Sequence, residues 1–397
     1  MSTTLAESKR IVIVGLRNAG KSSVINNIFE KDVSIVSDTP GTTTDPVTRK
    51  IELGNLGPCA IVDTAGLDES GILGNKRKNK SLERLKIADI VLFVSRADID
   101  VTDEERAIVR ALISQKTPFL FILTCIDLKE SSNKIEWASD YSPIKVNNSV
   151  GFGFSILRKK LSSIKIATNH EFTPVEGLVT EGDFVILVTP IDLAAPKGRL
   201  IAPQVETIRD LLDRDCGIMV VKDRELREFY NKIGIRPKLV ITDSQAFSQV
   251  AADIPEDQPL TSFSILFARK KGNLNSFIKG VEAIENTPKG AKILVMESCS
   301  HHKQADDIGT VKIPRLFKQL VREDVEFDFT RKLPIDVKLE KYYMVIHCGG
   351  CMITAKTMLD RMEIVEKNGT YITNYGLFLG WANGLLPRAL KPLLRNL

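Results

Sequence analysis

Two short patches hold most of the soft-metal chemistry in this chain. Cys299-Ser-His301 is followed, after a gap of 45 residues, by His347-Cys348-Gly-Gly-Cys351, and His302 adjoins the first patch. Together they contain three of the six cysteines and three of the four histidines. Thiolate and imidazole are ligands for soft and borderline metals. The set reads three ways. A closed structural zinc site would take four ligands, for example three Cys and one His. An iron–sulfur cluster on three cysteines would leave one iron for a histidine, another ligand or an exchangeable group. The third reading is core thiols with no metal. The cluster is the leading one, and His302 reads as solvent-facing.

At the other end, Gly15-Leu-Arg-Asn-Ala-Gly20-Lys21-Ser22 lies between a short apolar strand at 10–14 and a helix from Ser23 onward. Strand, GxxxxGKS and helix in that order form a phosphate cradle. Residues Gly15 and Asn18 to Ser23, Ala19 included, would surround the phosphates with backbone N–H groups. Lys21 would neutralise the β- and γ-phosphates, and Ser22 would give an oxygen to Mg²⁺. Thr43, inside Gly41-Thr-Thr-Thr-Asp45, suits a first switch that caps Mg²⁺ beside the γ-phosphate. Asp63 ends a strand at 60–63 and can hold the metal through water, while Gly66 leaves a backbone N–H for the γ-phosphate. Two more strands, 89–95 and 118–124, end in polar positions where a doubly wound sheet places its ligand. In Thr124-Cys125-Ile126-Asp127, the Asp127 carboxylate can accept the ring N–H and exocyclic amine of guanine.

These residues resemble the GTPase G-domain, and within it the branch of tRNA-modification and ribosome-assembly GTPases. Asn18 in the phosphate loop and the Gly41 to Asp45 switch mark that branch. The resemblance implies a potassium ion held by Asn18 beside the phosphates, in place of an arginine finger, and hydrolysis that is slow without it. Lys21, Asn18 and Thr43 are then the catalytic residues. Two departures stand out. Thr124-Cys125-Ile126-Asp127 replaces the usual Asn-Lys-x-Asp, removing the loop bracing and stacking of the asparagine and lysine. Leu67 follows Gly66, so no glutamine is placed there to orient water; Asp68 and Glu69 read as solvated loop acids. Asn147-Asn148-Ser149 is too degenerate to count.

With a G-domain attached, Cys-x-His, a gap of about 45 residues and His-Cys-x-x-Cys resemble the maturation GTPases of iron-only [FeFe]-hydrogenases, the HydF family. This resemblance covers the whole chain. It implies a 4Fe-4S cluster on Cys299, Cys348 and Cys351, with His301 or His347 as candidate fourth ligands. It also implies a di-iron precursor received from radical-SAM maturases and passed to apo-[FeFe]-hydrogenase. A cluster without a fourth cysteine is what a carrier needs. The runner-up function is a ribosome- or RNA-associated GTPase with a C-terminal structural zinc module. That module should add a basic, aromatic-bearing surface, yet Lys+Arg 55 against Asp+Glu 50 leaves the chain only at +5.

The elements that must position these groups follow from pattern. The expected fold class is α/β: a P-loop GTPase domain (1–170), a small α/β dimerisation domain (171–265) and an α/β metal-cluster domain (266–397). The middle stretch alternates strand (184–188), helix (204–214), strand (217–221), helix (224–232), strand (238–242) and helix (244–251), which favours a small parallel sheet. It carries no chemistry of its own, so homodimerisation is its expected role. Strands at 291–296 and 342–347 deliver the two cysteine patches, the second onto an expected helix start. If these strands are neighbours, both patches meet on one edge. Cys59, Cys125 and Cys216 read as buried thiols. No signal peptide, membrane span or nucleic-acid partner is expected, and the cysteine usage suits a reducing, cytoplasmic compartment.

Overall fold

The computed structural model describes residues 8–29, 48–53, 56–63, 85, 88–164, 172–190, 200–298, 307–331 and 339–394. The chain divides into two compact units, Met1–Thr168 and Asn169–Leu397.

The first unit is a six-stranded sheet with helices on both faces. Its strands are β1 (Lys9–Val14), β2 (Thr48–Glu52), β3 (Pro58–Asp63), β4 (Ile90–Arg96), β5 (Phe119–Thr124) and β6 (Ile144–Lys145), in the order β2-β3-β1-β4-β5-β6. β2 runs antiparallel to β3 and the other pairings are parallel. The central strands are apolar on both faces because both are covered. In β1, Ile11 and Ile13 enter one core while Val12 and Val14 enter the other. β4 divides in the same way, Ile90, Leu92 and Val94 against Val91 and Phe93. The helices are α1 (Lys21–Phe29), α2 (Asp103–Ser114), α3 (Ser132–Ser139) and α4 (Phe154–Ser163). α2 starts at a capping box in which Thr102 and Glu105 satisfy each other's backbone N–H groups.

The second unit holds two four-stranded, all-parallel sheets over one continuous core. The first sheet uses β7 (Phe184–Val188), β8 (Gly217–Val221), β9 (Leu239–Thr242) and β10 (Leu260–Ser262), ordered β10-β9-β7-β8. Its helices are α5 (Ala202–Leu212), α6 (Leu226–Lys232) and α7 (Phe247–Asp253). α8 (Phe263–Lys271) and α9 (Leu274–Glu282) follow. The second sheet uses β11 (Lys292–Met296), β12 (Glu326–Thr330), β13 (Met344–His347) and β14 (Tyr371–Asn374), ordered β12-β11-β13-β14. α10 (Ile313–Leu320), α11 (Ala355–Lys367), α12 (Tyr375–Ala382) and α13 (Leu386–Leu394) complete it. The fold is therefore α/β throughout, as the alternation of patterns implied.

α8 is the seam between the two layers. Phe263, Ile265, Leu266, Phe267 and Ala268 are all buried, so its apolar surface wraps the whole helix rather than forming a stripe. Such a helix is stable only with neighbours all round. α12 is of the same kind, with Gly376 to Gly380 buried. α12 is thus core, and no helix among the described residues is long and apolar enough to cross a membrane.

Two local expectations are corrected. Cys351 does not open a helix: Thr354 is the N-cap of α11, its hydroxyl accepting from Thr357 N, and the cysteines lie in the preceding turn. Cys125 is not buried but half-buried, with a left-handed φ of 56°. Cys59 and Cys216 are buried as expected, and burial raises both thiol pKa values, Cys59 to about 12. β12 escapes pattern reading because its burial is only partial.

Candidate functional site

The phosphate loop joins β1 to α1 and is held by its own lysine. Lys21 is 9% exposed, and its Nζ donates to Gly15 O at 3.0 Å and Leu16 O at 2.7 Å. Asn18 is exposed at the crest with φ 58°, a left-handed conformation that asparagine tolerates better than most residues. Gly20 has φ 87°, and a Cβ there would sit 2.9 Å from Asn148 Nδ2, so conformation and space both select glycine. Ala19 is buried beneath the loop, while Ser22 and Ser23 are exposed on the first turn of α1.

The base side shows what the missing asparagine was replaced by. Thr124 is fully buried at the end of β5, and its hydroxyl donates to Ala19 O at 2.8 Å, with Ser95 O at 3.3 Å. This ties the base-side loop to the phosphate loop across 105 residues, so the expected loss of bracing is corrected. Asp127 is exposed just beyond. Beside Thr124 in the sheet, Arg96 forks onto Asp98 at 2.9 and 2.7 Å. That hydrogen bond holds the Asp98 carboxyl below its ordinary pKa. Behind these residues, Glu105, Lys134 and Ser95 form a buried ionic network.

Asn148 is a residue that sequence reasoning passed over. Its carbonyl accepts from Asn27 Nδ2 of α1 at 3.1 Å, and its Oδ1 is buried with no hydrogen-bond partner among the described residues. Buried acceptors are nearly always paired. With its Nδ2 beside Gly20, Asn148 keeps an acceptor that a ligand N–H or O–H could meet. The tripeptide gave no signal for this, since its role comes from where β6 ends.

The second site forms where β11 and β13 run side by side, Met296 opposite His347. Ser298, one residue before Cys299, donates its backbone N–H to Cys348 Sγ at 3.2 Å. The approach to the first patch therefore reaches the second. Cys348 is buried at 6% exposure and Cys351 is half-buried. Among the described residues, nothing lies within 4 Å of the position a Gly349 Cβ would take. At Gly350, φ is 64° and a Cβ would lie 2.5 Å from Met358 Cε, so a substitution there is strained and must displace that side chain. Two thiols on one turn, with an N–H aimed at one sulfur, suit iron–sulfur ligation.

His347 is fully buried and both ring nitrogens are engaged. Arg361 Nη1, which can only donate, lies 2.9 Å from Nε2 and 2.6 Å from Ser298 Oγ. Nε2 therefore accepts, and Nδ1 carries the proton it shares with Cys348 O at 2.6 Å. Sequence spacing did not point to Arg361, which arrives from the middle of α11. Thr43, Gly66, Cys299 and His301 lie outside the described residues, as does the side chain of Asp63. Among the described residues, no three His, Cys, Asp or Glu side chains gather as a metal site.

Comparison with known proteins sorts the chain into three stretches. Residues 10–125 match the model of the 50S ribosome-binding GTPases. Residues 175–272 match the hydrogen maturase F dimerization domain, and residues 275–392 match the hydrogen maturase F tetramerization domain. The chain belongs to the hydrogen maturase F family. Its α/β architecture is a P-loop GTPase domain followed by the two hydrogen maturase F domains, and the zinc-module alternative is not favoured.

Two curated relatives match less than half of this chain. The tRNA modification GTPase MnmE of Streptococcus pyogenes (serotype M5, strain Manfredo) is 35% identical over 181 residues, 45% of this chain and 36% of that protein. GTPase Der of Campylobacter concisus (strain 13826) is 32% identical over 147 residues, 37% of this chain and 31% of that protein. The chain thus spans about a third of the length of these curated relatives. Among solved structures, the G domain of the T. maritima FeoB iron transporter aligns at 21% identity and a TM-score of 0.28, covering 39% of this chain and 96% of that one.

Proposed function

We propose that this hydrogen maturase F chain is a GTP-hydrolysing scaffold that binds a 4Fe-4S cluster and a di-iron precursor and delivers the precursor to apo-[FeFe]-hydrogenase. The observation that supports this reading is the hydrogen bond from the backbone N–H of Ser298, one residue before the first patch, to Cys348 Sγ in the second. In this reading Cys299, Cys348 and Cys351 hold the cluster, and His301 or His347 is the candidate fourth ligand. Ligation by His347 requires Arg361 to release Nε2. A cluster held by three thiolates offers one iron to an exchangeable ligand, which is the chemistry a carrier uses.

The proposed domains are 1–170 for GTP, 171–265 for homodimerisation and 266–397 for the cluster. Lys21 neutralises the phosphates, and Ser22, Thr43 and Asp63 serve Mg²⁺. Asn18 holds K⁺ against the phosphates, and Asp127 reads guanine. Gly15, Ala19, Gly20, Ser23 and Gly66 supply close backbone contacts. Radical-SAM maturases supply the precursor, and the setting is cytoplasmic, without nucleic-acid or membrane partners.

Protein purified without oxygen tests this directly. The expected result is a brown protein with iron and sulfide in cluster stoichiometry and GTP turnover. A colourless protein with stoichiometric zinc overturns the cluster reading.

A further inference from the structure

Lys271 ends α8, and its side chain is buried at 4% exposure. Its Nζ donates to three carbonyls of one turn: Gly350 O at 3.1 Å, Cys351 O at 3.3 Å and Ile353 O at 2.9 Å. An ammonium group has three hydrogens and no acceptor, and this turn presents three acceptors to it. The turn is the one that carries Cys348 and Cys351. The lysine comes from the hydrogen maturase F dimerization stretch, whereas the turn belongs to the tetramerization stretch.

Its two neighbours show that this is not a generic basic helix end. Arg269 donates to Pro174 O at 3.0 Å and Glu176 O at 2.9 Å, and Lys270 pairs with Glu206 of α5. Three consecutive cations leave α8 for three different places. The most buried one goes to the cysteine turn.

Burying an ammonium is costly, and its attraction to carbonyl dipoles must offset the lost hydration. Holding a turn needs only neutral donors, which side-chain amides or water supply without a charge penalty. A positive charge on the turn that carries Cys348 and Cys351 has a further effect. Thiolates leave a bound iron–sulfur group negatively charged, and a fixed cation nearby stabilises its more negative, reduced form. Net charge near a cluster is one of the determinants of its potential.

We propose that Lys271 is a positioning residue for the Cys348–Cys351 turn, and that its charge raises the reduction potential of the cluster held there. The charge half rests on the cluster reading above; the positioning half does not.

The test uses the full chain and two variants, Lys271→Met, which keeps length without charge, and Lys271→Gln, which keeps N–H donors without charge. In metal-free protein, iodoacetamide labelling of Cys351, followed by peptide mapping, should run several-fold faster in Lys271→Met than in wild type. In protein reconstituted anaerobically with iron and sulfide, dithionite titration should move the one-electron couple between the 2+ and 1+ cluster to lower potential in both variants. Equal labelling rates overturn the positioning role. An unchanged potential in variants with full iron overturns the charge role. Wild-type protein that takes up no iron overturns the cluster reading and the charge role with it, while the labelling result still decides positioning. If Lys271→Met fails to fold, Lys271→Ala, which lacks donors and charge, carries the labelling measurement and Lys271→Gln the potential.

Discussion

Ser298 and Cys348 are 50 residues apart in the chain, yet the backbone N–H of the first donates to the sulfur of the second at 3.2 Å. The contact follows from the pairing of β11 with β13, which ends both strands at the same level. It brings the residue that precedes the first patch against the second, and an N–H donor to sulfur favours the thiolate form that ligation needs.

Cys348→Ser should therefore abolish cluster binding while leaving GTP turnover intact. A serine hydroxyl is a much harder and less acidic ligand than a thiol. Iron and sulfide analysis together with phosphate release measures both halves, and a variant with a full complement of iron would remove Cys348 from the ligand set.

Lys21→Ala should do the converse. The variant loses the charge on the transferring phosphoryl group, an effect on the order of 10²–10³-fold in turnover, and keeps its iron. Loss of iron in this variant would refute the separation of the two sites.

Exchanging sodium for potassium should raise the hydrolysis rate. A salt exchange tests Asn18 more cleanly than mutation, because most replacements would be strained at φ 58°. Identical rates in the two salts would end the role given to Asn18.

Thr124→Val should lower stability and nucleotide affinity together. The change removes the donor to Ala19 O and leaves a buried carbonyl unmatched, at a cost of about 1–3 kcal/mol. Urea unfolding and titration with a fluorescent guanine nucleotide read the two effects. Unaltered values for both would show that the brace is dispensable.

The alkaline limb of stability should carry a signature of Cys59. Burial, then the carboxylates of Glu52 and Asp89, push its thiol from 9.0 up to about 12. The unfolded chain loses this proton near pH 9 while the folded chain keeps it, so stability falls as pH rises above 9. The fall approaches about 1.4 kcal/mol per pH unit until the folded thiol itself ionises. Urea midpoints from pH 8 to 10 should show a shallower slope in Cys59→Ala than in wild type; parallel slopes would assign the decline to other groups.

The phosphate loop was legible in sequence because its function is local. Eight consecutive residues between a strand and a helix form the cradle, and the backbone does most of the binding. The alternation in the middle stretch was equally legible, since strands covered on both faces must be apolar throughout. The bracing by Thr124 was not legible. It depends on β5 ending beside the loop that follows β1, and a threonine at that place looks like a loss until its acceptor is seen. Asn148 and Arg361 were missed for the same reason.

Cysteine and histidine types and their spacing were enough to propose soft-metal ligation, because ligand softness belongs to the side chain itself. Two patches at the ends of two strands were also enough to pose the question of whether they meet. Only the tertiary structure decided the rest. Strand order put β11 against β13, α8 carried Lys271 to the cysteine turn, and α11 turned Arg361 onto His347. Such contacts join segments tens of residues apart, and their partners are chosen by burial and packing, which no local pattern encodes.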